Sequence, residues 1–119
     1  MPESLQRLHA SFFLTSTGAQ PVRDWLLGLS KEDRKAIGTD IAYVQYKWPI
    51  GRPRVAHLVG DIWEVRSRLA NRTARVLFAV DGKEMVLLHG FIKKTQSAPV
   101  QDIELAKARW REWASASSA

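Results

Sequence analysis

The sequence predicts an α+β fold, a single antiparallel sheet with helices laid against it, and three observations carry that expectation. Four short segments rich in alternating or β-branched residues follow one another between residues 55 and 92. Two stretches with helical spacing precede them and a third follows. The Asp81-Gly82 dipeptide between two of the segments is a two-residue hairpin signal. The expected order is β-α-α-β-β-β-β-α, with two N-terminal helices on one face of the sheet and the C-terminal helix on part of the other.

Residues 7–14 alternate, placing Leu8, Ala10, Phe12 and Leu14 on one side of a first strand that Gly18 ends. Pro21 stands where a first helical residue would, with Val22, Trp25, Leu26 and Leu29 at helical spacing behind it. Ser30 and Asp33 resemble a capping box, and Ile37, Ile41, Val44 and Trp48 then trace one stripe that Pro49 stops. A stiff basic loop, residues 49–54, leads into strands at 55–59, 62–69, 74–80 and 85–92. Ser97 and Pro99 open a last helix that buries Ile103, Ala106, Trp110 and Trp113. Residues 1–113 make one domain, and 114–119, all Ala and Ser, are expected to fray.

Composition narrows the class. Among 119 residues, 45% are hydrophobic and 25% charged, which excludes a disordered or fibrous chain. The absence of cysteine excludes disulfides, thiolate metal sites and a cysteine nucleophile. Phe12-Phe13-Leu14 is too short for a signal-peptide core, and no run approaches the ~20 apolar residues of a membrane span. A cytoplasmic protein without membrane contact is expected. The net charge of +6 points to an anionic partner, nucleic acid or an acidic protein.

A register argument locates that charge. With Asp81-Gly82 as turn residues, Val80 opposes Lys83 and Arg75 opposes Leu88; a turn centred between Asn71 and Arg72 sets Val65 against Phe78 and Arg68 against Arg75. Alternation then sends Trp63, Val65, Val76, Phe78, Val80, Met85 and Leu87 to one face. The other face collects Ile62, Leu77, Ala79, Val86 and Leu88 at one end and Arg66, Arg68 and Arg75 at the other. The last helix can cover the apolar end. The arginine end needs anions, because like charges facing one another destabilise a sheet. Lys93, Lys94, Thr95 and Gln96 emerge at that same end, so five cations converge there. Glu64 and Asp61 are candidate counter-ions for Arg66.

The remaining chemistry-bearing residues are quieter. All five tryptophans fall on the apolar periodicity and read as core. His89 follows the core-facing phase, His9 carries no signal, and His57, expected opposite Glu64, is a candidate base. Neither metal-ligand spacing, a Gly-rich phosphate loop nor a serine elbow is present, and no cofactor is expected. One reaction class runs on cations alone, the cleavage of RNA by its own 2′-hydroxyl. Arginines stabilise the charge on phosphate, and a lysine crowded by other cations is easier to deprotonate.

Ile62-Trp-Glu-Val-Arg66, Ala74-Arg-Val-Leu-Phe78 and Leu87-Leu-His-Gly-Phe-Ile-Lys-Lys-Thr-Gln96 with Ala98-Pro99 resemble the HigB-like, phage-derived branch of the RelE/ParE toxin superfamily. Pro21-Val-x-x-Trp-Leu and Ile103-Glu-x-Ala-x-x-Arg109 fit the same pattern, so the resemblance runs from about residue 10 to 113. It implies a RelE-like fold and the toxin of a type II toxin–antitoxin pair, a ribosome-dependent, metal-independent mRNA endonuclease. It also implies a cognate antitoxin, of helix-turn-helix type in this branch, that covers the cationic patch or blocks access to the ribosome.

Carried over by motif, Arg66 and Arg75 would bind the scissile phosphate. Lys93 and Lys94 would act as base, acid or phosphate contact, and Gln96 would touch a base or ribose. The chain departs from the pattern at Ser97-Ala98, where a Lys-Thr pair is common, and in lacking tyrosines at 74–78. From the basic patch itself, Arg68, Lys47, Arg52 and Arg54 are candidate RNA contacts. Two other functions stand beside this one: the resemblance also admits a ParE-like toxin acting on gyrase, against which the paired lysines argue, and the basic charge admits a non-catalytic module that binds nucleic acid.

Overall fold

A computed structural model describes residues 5–93 and 100–118. Its elements follow the expected order: β1 (His9–Phe12), α1 (Pro21–Leu27), α2 (Lys31–Lys47), β2 (Val55–Val59), β3 (Ile62–Arg68), β4 (Thr73–Asp81), β5 (Glu84–Lys93) and α3 (Val100–Ser118). The five strands form one sheet in the order β1-β5-β4-β3-β2. Four of them are antiparallel neighbours, but β1 runs parallel to β5, so the sheet is mixed rather than wholly antiparallel. Alternation in residues 7–14 selects a strand without selecting its direction. That direction comes from the edge of β5, which the hairpin leaves open.

Local chemistry sets the helix ends. Pro21 occupies the first turn of α1, where its missing N–H costs nothing. The Ser30 hydroxyl accepts the Asp33 N–H at 3.1 Å, while the Asp33 carboxylate is drawn away to Arg72 instead of closing the box. α3 continues as helix to Ser118, past the point where a frayed tail was expected. Alanine extends a helix already nucleated by its packed turns at little cost.

Both hairpins differ from the expected register by two residues. Gly82, at φ +61°, and Lys83 form the β4–β5 turn, so Asp81 faces Glu84, Val80 faces Met85 and Phe78 faces Leu87. The β3–β4 turn closes with Leu69 N–H on the Arg72 carbonyl, setting Val65 against Val76 and Arg66 against Arg75. A two-residue shift preserves the faces, because side chains alternate with period two. The apolar assignment to each face is therefore the observed one.

A bulge between Leu77 and Phe78 then moves the rest of β5 by one more residue, pairing Leu77 with His89, Val76 with Gly90 and Thr73 with Lys93. It corrects the expected place of His89. The ring turns away from the α1–α2 layer, meets Asp102 of α3 at 2.6 Å and stacks on Phe91 at 5.4 Å.

Two apolar layers result. Val22, Leu26, Ile37, Ile41 and Val44 of α1 and α2 pack on Val55, Val65, Val76, Phe78, Met85 and Leu87. Trp48 meets Trp63 edge-on at 5.0 Å within the same layer. On the opposite face Ile103, Ala106, Trp110 and Trp113 of α3 cover Ile62, Leu77, Ala79, Val86 and Leu88. Polar ties fasten α3 along its length. Arg109 donates to the Leu88 carbonyl at 2.8 Å, Trp110 to Asp61 at 3.1 Å and Trp113 to Asp81 at 2.9 Å. Burial lowers the Arg109 pKa from its ordinary value, with Glu112 acting in the opposite sense. Among the described residues no helix is long and apolar enough to cross a membrane.

Gly90 is where α1 meets β5. A Cβ there would lie 2.3–2.9 Å from three carbons of the Trp25 ring. Gly90→Ala should therefore destabilise the fold by about 1–3 kcal/mol, the usual cost of overpacking. Urea denaturation of both proteins, at unchanged m-value, checks it.

Candidate functional site

Polar side chains occupy the part of the α3-side face that α3 leaves uncovered. Alternation along β3 brings Glu64, Arg66 and Arg68 onto it. Alternation along β4 brings Arg75 beside them, directly opposite Arg66, and the shifted register of β5 sets Lys93 opposite Thr73. Opposed residues on a sheet stand about 4.5–5.5 Å apart at Cβ, so two guanidiniums share one position of the floor.

Glu64 makes that arrangement tolerable. Its carboxylate is completely buried and divides its oxygens between the two arginines. Arg66 Nε donates to Oε1 at 2.7 Å, and a terminal N–H of Arg75 donates to Oε2 at 3.0 Å. Arg75 is itself buried at 8% exposure, and its Nε has no hydrogen-bond partner. One buried anion thus serves two cations, and a positive charge is left in excess. A buried ion pair broken by removal of one partner costs about 3–5 kcal/mol, far more than an exposed pair is worth.

Arg66, Arg68, Arg75 and Lys93 line a cleft of about 1070 Å³ together with residues of α2, which packs on the other face, so the cleft reaches around the end of the sheet. Lys35, Arg54, Arg66, Arg68, Arg72, Arg75 and Lys93 line it, against the carboxylates of Glu32 and Asp40. Arg54 reaches Asp40 at 3.5 Å and lies 4.1 Å over the Tyr43 ring, while Arg72 is bound to Asp33. Among the described residues, Lys35, Arg68 and Lys93 have no ion-pair partner.

The structure therefore gathers Arg66, Arg68, Arg75, Lys93 and Arg54 from the residues singled out in the sequence. Lys94 and Gln96 lie outside the described residues. Lys47 and Arg52 are exposed and do not line the cleft. His57 is not opposite Glu64: Ala56 holds that position. A one-residue difference in a strand reverses the face, so His57 lies against Trp63, at 4.9 Å, and donates to the Gly60 carbonyl at 2.6 Å. That placement puts it outside the lining of the cleft.

Lys35 and Arg72 were not anticipated. Lys35 falls off the apolar stripe of α2, the one sequence signal it carries, and nothing local says that this side of the helix borders the arginines. Among the described residues no group of three or more His, Asp or Glu side chains could hold a metal ion.

A surface of this kind has the chemistry to bind tetrahedral oxyanions. Guanidinium forks match phosphate oxygens, and a lysine adds a mobile point charge beside them. Residues 24–111, a span that contains every residue lining the cleft, match the family of phage-derived Gp49-like proteins, DUF891. The protein belongs to this family, which is associated with RelE-like toxins of toxin–antitoxin systems. Membership implies a toxin-like activity and an antitoxin partner. No curated protein matches the chain.

Titration with inorganic sulfate, followed by backbone amide NMR, should perturb residues around Arg66, Arg75 and Lys93. Lys47 and Arg52, outside the cleft, serve as internal controls and should stay unmoved. Equal shifts at all five would mean diffuse screening instead of a site.

Proposed function

We propose that this protein is a HigB-like toxin, a metal-independent endonuclease that cuts translated mRNA on the ribosome and is held off by a cognate antitoxin. The observation that supports this most directly is the opposed pair Arg66 and Arg75 on the cleft floor, with Lys93 at the end of the neighbouring strand. Family membership supports the toxin part, and the cationic cleft supports RNA as the substrate.

In this reading the scissile phosphate sits over the two guanidiniums. The 2′-oxygen of the upstream ribose loses its proton and attacks phosphorus, and the 5′-oxygen of the next nucleotide leaves with a proton. The products are a 2′,3′-cyclic phosphate and a 5′-hydroxyl end. Negative charge grows on the non-bridging oxygens as the fifth bond forms, and donors fixed in advance stabilise that state more than the ground state. Arginine holds its own proton at neutral pH, so it supplies charge and not proton transfer. Lys93, with Lys94 after it in the chain, supplies the amines that can exchange a proton or neutralise phosphate. Arg68 and Arg54 extend the positive track along flanking phosphates, and Gln96 would reach a base or ribose.

Expression from a tightly controlled promoter, with mapping of 5′ message ends, tests this reading. Wild type should arrest growth and produce cuts confined to translated messages, with 5′-hydroxyl ends. Arg66→Ala/Lys93→Ala, and Arg75→Ala alone, should relieve arrest and abolish the cuts. Arrest with intact messages would point to another target, as for a ParE-like toxin on gyrase. A folded protein that binds RNA without arrest or cutting would be a non-catalytic basic module.

On the same reading, Arg68→Ala should weaken binding of a non-cleavable RNA and lower the slope of log affinity against log salt by about one phosphate contact. A filter-binding series across salt concentrations measures it.

A further inference from the structure

We infer that Glu64 is a positioning residue of this site, holding the Arg66 and Arg75 guanidiniums in one fixed arrangement before the phosphate arrives. The inference rests on the endonuclease reading above and adds to it a role for a residue that does not face the substrate. Glu64 is fully buried and lies behind the cleft lining, whereas both of its arginines line the cleft. Each oxygen takes a different arginine, at 2.7 and 3.0 Å, so both guanidiniums are referenced to one carboxylate. The Arg66 backbone is held as well, its N–H donating to the Arg54 carbonyl at 2.8 Å.

The other carboxylates near the cleft are built differently. Asp40 and Asp33 keep 19% and 16% of their side chains exposed, and their arginines are more exposed still. Such pairs are screened and exchange readily with water. Glu64 itself is shut off from solvent, with Arg75 10% and Arg66 32% exposed beside it.

A carboxylate under an anion site is a disadvantage for binding alone, because its charge opposes the phosphate. Without it, however, Arg66 and Arg75 would face each other across adjacent strands and repel. Each would turn toward solvent, and the pair would have to be ordered again by every substrate. The carboxylate therefore exchanges some affinity for geometry. This gives the proposal a sign that a merely structural residue would not produce: removing the charge should leave binding equal or tighter while the chemical step slows.

Glu64→Gln keeps the size and one acceptor oxygen and removes the charge. Single-turnover cutting of a message on stalled ribosomes should slow on the order of 10²-fold at saturating toxin, the scale set by misplacing a reacting group by about 1 Å. The affinity for the same complex carrying a 2′-deoxy nucleotide at the scissile position should be unchanged or increased. Equal cutting rates overturn the inference, as does weakened binding with an unchanged saturating rate. NMR of the wild-type guanidinium groups gives a second measurement that needs no variant to fold. Rotation about the Nε–Cζ bond of Arg75, whose terminal nitrogen donates to Glu64, should be slow relative to that of Arg68, and the Arg66 Nε–H, which donates to the other oxygen, should exchange with solvent more slowly than the Arg68 Nε–H; equal behaviour overturns the inference. A wild type that cuts nothing would instead end the endonuclease reading, and the guanidinium spectra would still decide whether Glu64 orders the pair.

Discussion

Side chains alternate along β3, β4 and β5, so each strand commits every second position to one layer and the rest to the other. α1 and α2 cover the first layer from end to end. α3 covers only the half of the second that carries Ile62, Leu77, Ala79, Val86 and Leu88. The other half of that face carries arginines, and it can be neither a second hydrophobic core nor bare strand. The cleft follows from this division of one sheet face between an apolar half and a cationic half.

Charge in that half is organised in two grades. At the floor, a buried carboxylate and two guanidiniums form a unit in which removing Glu64 leaves the buried Arg75 without its counter-ion. At the walls, Arg54 and Arg72 make exposed pairs worth about 0–1 kcal/mol, and Lys35, Arg68 and Lys93 have no described ion-pair partner. The first grade is joined through a carboxylate shut off from solvent, and the second is open to it. A polyanion can displace or bypass the wall pairs more easily than the buried ion pairs of the floor.

β5 joins the two layers. Its Gly90 admits the Trp25 ring of α1 on one side. Its bulge turns His89 toward Asp102 of α3 on the other and sets Lys93 opposite Thr73 at the cleft. Substitutions in the Leu87–Lys93 stretch therefore affect packing and site together, because one strand carries the helix contact, the α3 tie and a cleft cation within seven residues.

Element order, the helix ends at Pro21 and Ser30, both apolar layers and the meeting of Arg66, Arg68 and Arg75 on one face were legible in the sequence, as was the arrival of Lys93 at that end of the sheet, though its face is set by the bulge in β5. Each depends on short-range periodicity, and an even register error leaves a period-two pattern intact. Only the tertiary structure decided the rest. The parallel pairing of β1, the one-residue bulge that moves His89 and the true opposition of Ala56 to Glu64 depend on which edges and turns pack together. The approach of Lys35 and Arg72 to the arginines joins residues distant in sequence. Glu64 shows the difference most plainly: alternation alone puts it on the arginine face, but its double engagement needs β4 docked in the observed register, because only there do Arg66 and Arg75 stand opposite each other within reach of one carboxylate.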